Sequence, residues 1–193
     1  MKKIWIGLLC LLVLSGCGKA QQGASLQEQY ASVTGVELAA EVTCHLPDET
    51  RQYQMTCDYD PAGGSEIVVT APTELEGVRA TVTGDDLTLS YDDLALSAGT
   101  VEPVSPVNCL PWLLKAAASG YVLEESRETV EGKDCLRVAF DTTAPDGEKV
   151  LCTTWFDRET LFPVYSELSL DGQLRLSVKL ISFTVETEAP AEP

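Results

Sequence analysis

From Gly35 onward apolar and polar residues alternate with a period of two. Val36, Leu38, Ala40 and Val42 alternate with Glu37, Glu41 and Thr43, and near the other end Leu174, Leu176, Val178 and Leu180 alternate with Arg175, Ser177 and Lys179. That period is the signature of β-strands with one apolar and one solvated face. Turn residues divide the pattern. Gly84-Asp85 suits a two-residue type II′ hairpin joining Val78-Ala80-Val82 to Leu87-Leu89-Tyr91, a register that puts both apolar sets on one face. At Asp171-Gly172 a three-residue loop with a bulge is predicted, because it pairs Leu168 with Leu174. Strands are expected near 35–46, 51–60, 64–71, 77–84, 86–91, 93–98, 121–131, 134–142, 148–157, 163–170 and 173–186, about eleven in a meander.

Two segments break the alternation. Leu26 to Val33 predicts a brief helix with Ser25 as its cap and Glu28 placed for a capping box. Asn108 to Ser119 combines a cap residue, a proline early enough for a first turn, strong helix formers and Gly120 as a stop. Only Lys115 is charged there, so this helix is expected to be buried on most sides, as a lid on the concave face of a curved sheet or as plain core.

The amino terminus carries a different pattern. Lys2 and Lys3 precede an apolar run from Ile4 to Leu14, too short to span a bilayer, and Leu14-Ser15-Gly16-Cys17 follows. This reads as a lipoprotein signal over residues 1–16 with its lipobox, and Cys17 as the lipidated first mature residue. Lipidation would fix the chain to the extracytoplasmic face of a membrane, because two acyl chains at one site anchor stably. Residues 17–27 hold the lipidated cysteine and a short tether, with Gly18 to Ser25 polar and able to reach about 30 Å at ~3.5 Å per residue. Residues 28–186 form one domain, and 187–193 an acidic, proline-containing tail expected to be disordered.

Charge and cysteines narrow the chemistry. The formal charge of −17 becomes −19 once Lys2 and Lys3 are gone, with 11 basic against 30 acidic residues. Nucleic acid and anionic headgroups are poor partners for such a surface. Beyond Cys17 the mature chain has Cys44, Cys57, Cys109, Cys135 and Cys152, with no Cys-x-x-Cys pair, so no metal site and no cofactor is expected. If Leu136, Val138 and Phe140 share a face with Leu151, Thr153 and Trp155, Cys135 and Cys152 meet on the other face, and a cross-strand disulfide is the expected pairing. Cys44 and Cys57 fall on apolar faces of neighbouring strands, as a second bridge or as two buried thiols. His45 is the single histidine and reads as a surface residue at a strand end. Asp58 to Gly64 lacks the ligand series of a calcium loop and reads as a turn. No pair of acids is singled out for hydrolysis, so the chain is expected not to be an enzyme.

The corner Trp155-Phe156-Asp157-Arg158-Glu159-Thr160-Leu161-Phe162-Pro163 packs aromatics, a polar turn and a strand-opening proline together. It resembles the Trp-x-Asp-x-x-Thr-x-x-Pro corner of the LolA/LolB-like lipoprotein carriers. Ile67 to Tyr91, with Ala71-Pro72, Leu75, Gly77, Gly84 and Leu89-Ser90-Tyr91, and the helix from Ser105-Pro106 to Gly120 resemble the same superfamily in the same order. With its lipobox and acidic single domain, the chain is most similar to LolA-like lipoproteins of Gram-positive bacteria, the GerS-type germination lipoproteins among them. The resemblance implies a mainly β fold: an unclosed antiparallel half-barrel of about eleven strands with one or two helices on the concave face. It also implies two roles. One is capture of a lipid, acyl chain or lipoprotein in an apolar hollow lined by Leu38, Val42, Val69, Val82 and Leu89 on strands and by Leu110, Trp112, Leu113 and Leu114 on the helix. The alternative is a protein-binding module supporting a cell-envelope or spore-cortex enzyme, with its hollow filled. The leading expectation is ligand capture beneath the helix.

Overall fold

The computed structural model describes residues 21–102, 104–143 and 147–187. After helix α1 (Gln21–Ala31) come six strands, β1 (Val33–His45), β2 (Thr50–Asp60), β3 (Gly64–Ala71), β4 (Arg79–Thr83), β5 (Asp86–Tyr91) and β6 (Leu94–Thr100). Helix α2 (Cys109–Ser119) separates them from β7 (Tyr121–Val130), β8 (Lys133–Thr143), β9 (Lys149–Asp157), β10 (Pro163–Leu170) and β11 (Gln173–Thr187). All eleven strands belong to one sheet in the order β6-β5-β4-β3-β2-β1-β11-β10-β9-β8-β7. The fold is mainly β, an open antiparallel sheet with two helices, as the alternation and the resemblance led one to expect.

The order explains the helix in mid-chain. Two meanders are joined through the β1–β11 pair, so β6 and β7, neighbours in sequence, lie on opposite edges. Their connection must cross from one edge to the other, and α2 is that crossing. The core forms on the face it covers: Val36, Leu38, Ala40 and Val42 of β1, Met55 and Cys57 of β2, Phe140 of β8 and Phe156 of β9 pack with Leu110, Leu113 and Leu114 of α2 in one buried cluster. Helix α1 joins it through Leu26 and Tyr30. The Tyr30 hydroxyl donates to the Leu161 carbonyl at 2.9 Å, and its ring meets Phe156 edge-on at 5.6 Å.

Several local expectations hold and others need correction. Gly84-Asp85 is a two-residue turn with Thr83 opposite Asp86, Val82 opposite Leu87 and Ala80 opposite Leu89. Asp171-Gly172, in contrast, is also a two-residue turn, with Leu170 opposite Gln173 and both turn residues at positive φ, 51° and 74°. The bulge lies within the strand pair instead, so Leu168 faces Leu176 rather than Leu174. An Asp-Gly pair tolerates left-handed backbone well enough for the shorter turn, and the bulge then restores the apolar face. Among the described residues helix α1 already includes Gln21 to Ser25, so that part of the stretch read as tether is helical and Ser25 lies inside the helix rather than capping it. Cys17, the signal peptide and residues 188–193 of the tail lie outside the described residues.

The β8–β9 register also differs. Val150, Cys152 and Phe156 face the core, not Leu151, Thr153 and Trp155. Cys135 lies opposite Asp157, and Cys152 lies opposite Phe140. The two cysteines therefore sit on opposite faces of the sheet, Cys152 in the main core and Cys135 in a small outer cluster with Trp155 and Val164. Both are free thiols, so the structure does not support the Cys135–Cys152 disulfide. Both parities of this strand carry apolar residues, and the choice between them falls to the partners. Phe156 stacks edge-on with Phe140 at 6.4 Å, while Trp155 on the outer face donates its indole N–H to Glu128 Oε2 at 2.7 Å under the Arg137 guanidinium. A buried indole seeks such an acceptor.

Candidate functional site

Helix α2 is nearly all apolar, and the structure buries it accordingly. Cys109 to Leu114, Ala116 and Ala117 are all buried. Pro111 stands in the first turn, where a backbone N–H has no helical partner to lose. The helix ends because the chain must turn into β7, and Gly120 makes that turn at φ −66°, ψ 150°. A β-carbon at Gly120 would lie 2.6 Å from the Ala116 carbonyl oxygen and 2.9 Å from Phe140 Cβ. Glycine is needed here for close approach, not for a left-handed conformation.

Of the residues proposed for the hollow, Leu38, Val42, Val69, Val82, Leu110, Trp112, Leu113 and Leu114 are brought into one core, with Leu89 half-buried against it. The space beneath the helix is thus filled. Open space lies beside it: a cavity of about 820 Å³ between the α2 face carrying Trp112, Lys115 and Ser119 and the β2–β3 and β4–β5 turns. Val82 and Trp112 are the two nominated residues that reach it. Trp112 is fixed there by its indole N–H, which donates to Thr142 Oγ1 at 3.0 Å, with the Lys115 ammonium 5.9 Å from its ring centroid. Asp60, Asp85 and Asp141 also line the cavity, so an apolar wall meets an acidic lining with a single lysine. Sequence reasoning named the helix but not this space, because the turns at 59–65 and 82–85 meet α2 only through the sheet's curvature.

The five described cysteines are buried and free. Burial pushes the Cys57 and Cys152 thiols up to about 12 and Cys44 up to about 11. Cys109 is raised too, by burial first and then by its neighbours Cys44 and Cys57. Such thiols stay protonated and unreactive at neutral pH. Among the described residues no group of three or more His, Cys, Asp or Glu side chains is arranged to hold a metal ion.

His45 is half-buried on the outer face and has a partner that the sequence did not single out: its Nε2 lies 2.6 Å from Ser177 Oγ, across 132 residues of chain. The pair sits on a strand surface remote from the cavity. Asp60 Oδ1 accepts the Ala62 N–H at 2.7 Å, making the expected turn of the Asp58–Gly64 stretch. In the Trp155–Pro163 corner, Asp157 Oδ1 accepts the N–H groups of Glu159 and Thr160 at 2.9 and 3.3 Å. The first of these bonds is the largest cause of that carboxyl's lowered pKa.

No family model matches this sequence, and no curated protein matches it. Solved structures do align with it over most of its length. An uncharacterized conserved protein from Thermus thermophilus has a TM-score of 0.50 at 11% identity, covering 89% of this chain and 90% of its own. The open half-barrel is a shared fold. A LolA superfamily protein from Nitrosomonas europaea aligns with a TM-score of 0.47 at 11% identity, covering 86% of this chain and 94% of that one. A chain of the Clostridioides difficile CwlD amidase–GerS lipoprotein complex aligns with a TM-score of 0.43 at 15% identity, covering 84% and 93%. No helix among the described residues is long and apolar enough to cross a membrane.

Proposed function

We propose that this chain is a LolA-like lipoprotein, anchored through Cys17 on the extracytoplasmic face of a membrane, that acts by binding an apolar ligand rather than by catalysis. The observation that carries the reading is the cavity of about 820 Å³ beside α2. That volume falls within the roughly 300–1,000 Å³ of small-molecule sites. Its wall offers the Trp112 ring and the alanine face of α2 to an acyl chain, and its acidic lining disfavours a free carboxylate at depth. The ligand class is a lipid or lipoprotein acyl chain, held beside the helix rather than beneath it.

Two measurements test this. Metabolic labelling with an alkyne fatty acid should mark the wild type and not Cys17→Ala; equal labelling of both removes the anchor. Titration of the full chain in neutral detergent with a fluorescent fatty-acyl ester should saturate. Ser119→Trp, which fills the mouth from an exposed position, should weaken binding at least tenfold with an unchanged denaturation midpoint. Absence of saturable binding by the wild type, or indifference to Ser119→Trp, would sink the cavity reading.

A further inference from the structure

The open sheet has two free edges, and they are built differently. β7 carries Glu124, Glu125, Arg127 and Glu128, is bulged between Val122 and Glu124, and has Glu125 close against Gly23 of α1. Charges, bulges and covering elements are the means by which proteins keep an edge from pairing with another chain. β6, Leu-Ala-Leu-Ser-Ala-Gly-Thr, has no charge and no proline. Its one register shift falls at the Ala98–Gly99 end, leaving Leu94 to Ser97 regular. All seven residues are exposed, Leu94 by 76% and Leu96 by 67%. These two lie opposite Tyr91 and Leu89, so the apolar inner face continues past the helices onto a bare lip.

Charge narrows what can cover that lip. Between Arg79 and Lys115 there is no basic residue, while Asp85, Asp86, Asp92, Asp93 and Glu102 bracket β5 and β6. Asp92-Asp93 stand at one end of β6, and Asp86, opposite Thr100, stands with Glu102 near the other. A second copy pairing through β6 would bring these acids against their own equivalents, which disfavours self-association. The tail from 188 to 193, with two glutamates and two prolines, is no better matched. We infer that β6 is a docking edge for an extended, basic segment of a partner protein, one alternating apolar residues with lysine or arginine. Main-chain hydrogen bonds to the free edge give the affinity, Leu94 and Leu96 receive the apolar side chains, and the bracketing acids select the charge. The inference is independent of what the cavity holds.

The test uses the full chain in neutral detergent micelles and a labelled ten-residue peptide alternating valine and lysine. Anisotropy should show saturable, salt-sensitive binding, with no binding of the valine–glutamate peptide. Methylating alternate peptide nitrogens should abolish binding, and hydrogen exchange should show new protection confined to β6. Leu96→Lys, at an exposed position, should weaken binding at least tenfold with an unchanged denaturation midpoint, whereas Ser119→Trp should leave it unaltered. Three results overturn the inference: binding indifferent to Leu96→Lys, protection appearing away from β6, or a wild-type dimer that Leu96→Lys dissociates, which would make the occupant a second copy.

Discussion

The indole N–H of Trp112 donates to Thr142 Oγ1 at 3.0 Å, and Thr142 in turn donates to the Val150 carbonyl at 2.9 Å. This relay ties α2 to β8 and β9 at the edge of the cavity. Thr142→Val keeps the shape and removes the acceptor, leaving the mostly buried indole N–H unpaired. The expected loss is about 1–2 kcal/mol in a urea melt, with faster amide exchange in α2 than in β1. An unchanged midpoint would mean that water replaces Thr142 without cost.

The joint between α2 and β7 is tested at Gly120. Its φ of −66° suits any residue, so only space argues for glycine. Gly120→Ala would press a methyl against the Ala116 carbonyl and Phe140, neither of which is a flexible side-chain end. A loss of about 1–3 kcal/mol is expected by denaturant titration. A neutral result would show that the α2–β7 joint relaxes freely.

Wherever one parity of a strand is apolar and the other polar, the sequence could be read correctly. Val36 to Val42 and the Gly84-Asp85 hairpin fall where alternation and turn chemistry put them, and α2 lies between Asn108 and Gly120, although the Asn108 side chain makes no cap hydrogen bond and donates to the Glu102 carbonyl instead. Reading failed where both parities are apolar. In β9, Val150, Cys152 and Phe156 compete with Leu151 and Trp155, and a choice made by the distant Phe140, Tyr30 and Glu128 is not local information. The same holds for His45 and Ser177, which meet through β1–β11 pairing. The bare edge at β6 was hidden because an edge is defined by the global strand order, and consecutive strands in sequence give no sign that β6 and β7 lie farthest apart.

The buried thiols give a pH dependence with a definite sign. Cys57 and Cys152 have pKa values raised from 9.0 to about 12 by burial, so at high pH the unfolded chain ionises first. Their contribution is fully present below pH 9 and is lost as pH rises towards 12, by about 1.4 kcal/mol per pH unit for each thiol. Urea melts at pH 8 and 10.5 should show the fall, and Cys57→Ala with Cys152→Ala should reduce it, leaving the part carried by the buried Cys44 and Cys109 thiols. At pH 8 iodoacetamide should leave both cysteines unmodified until the protein is unfolded. A Cys135–Cys152 peptide pair in the unreduced protein would contradict the two-faced arrangement.

Leu113 decides whether α2 is a lid or part of the core. It is fully buried, in one continuous cluster with Val42, Met55, Phe140 and Leu176. Leu113→Glu places an unpaired carboxylate there, and its desolvation costs several kcal/mol unless the group is protonated or the helix lifts away. Because Cys109, Leu110, Leu114 and Ala117 are buried in the same cluster, lifting the helix would expose most of the concave face. The expected result is therefore a collapse of the whole denaturation midpoint, with β1 and β8 amides losing protection together with those of α2. Ser119→Trp, on the cavity side of the same helix, should leave the midpoint in place. If Leu113→Glu instead frees α2 to proteolysis while the sheet keeps its protection, the helix is a displaceable lid, and an acyl chain would then have room beneath it as well as beside it.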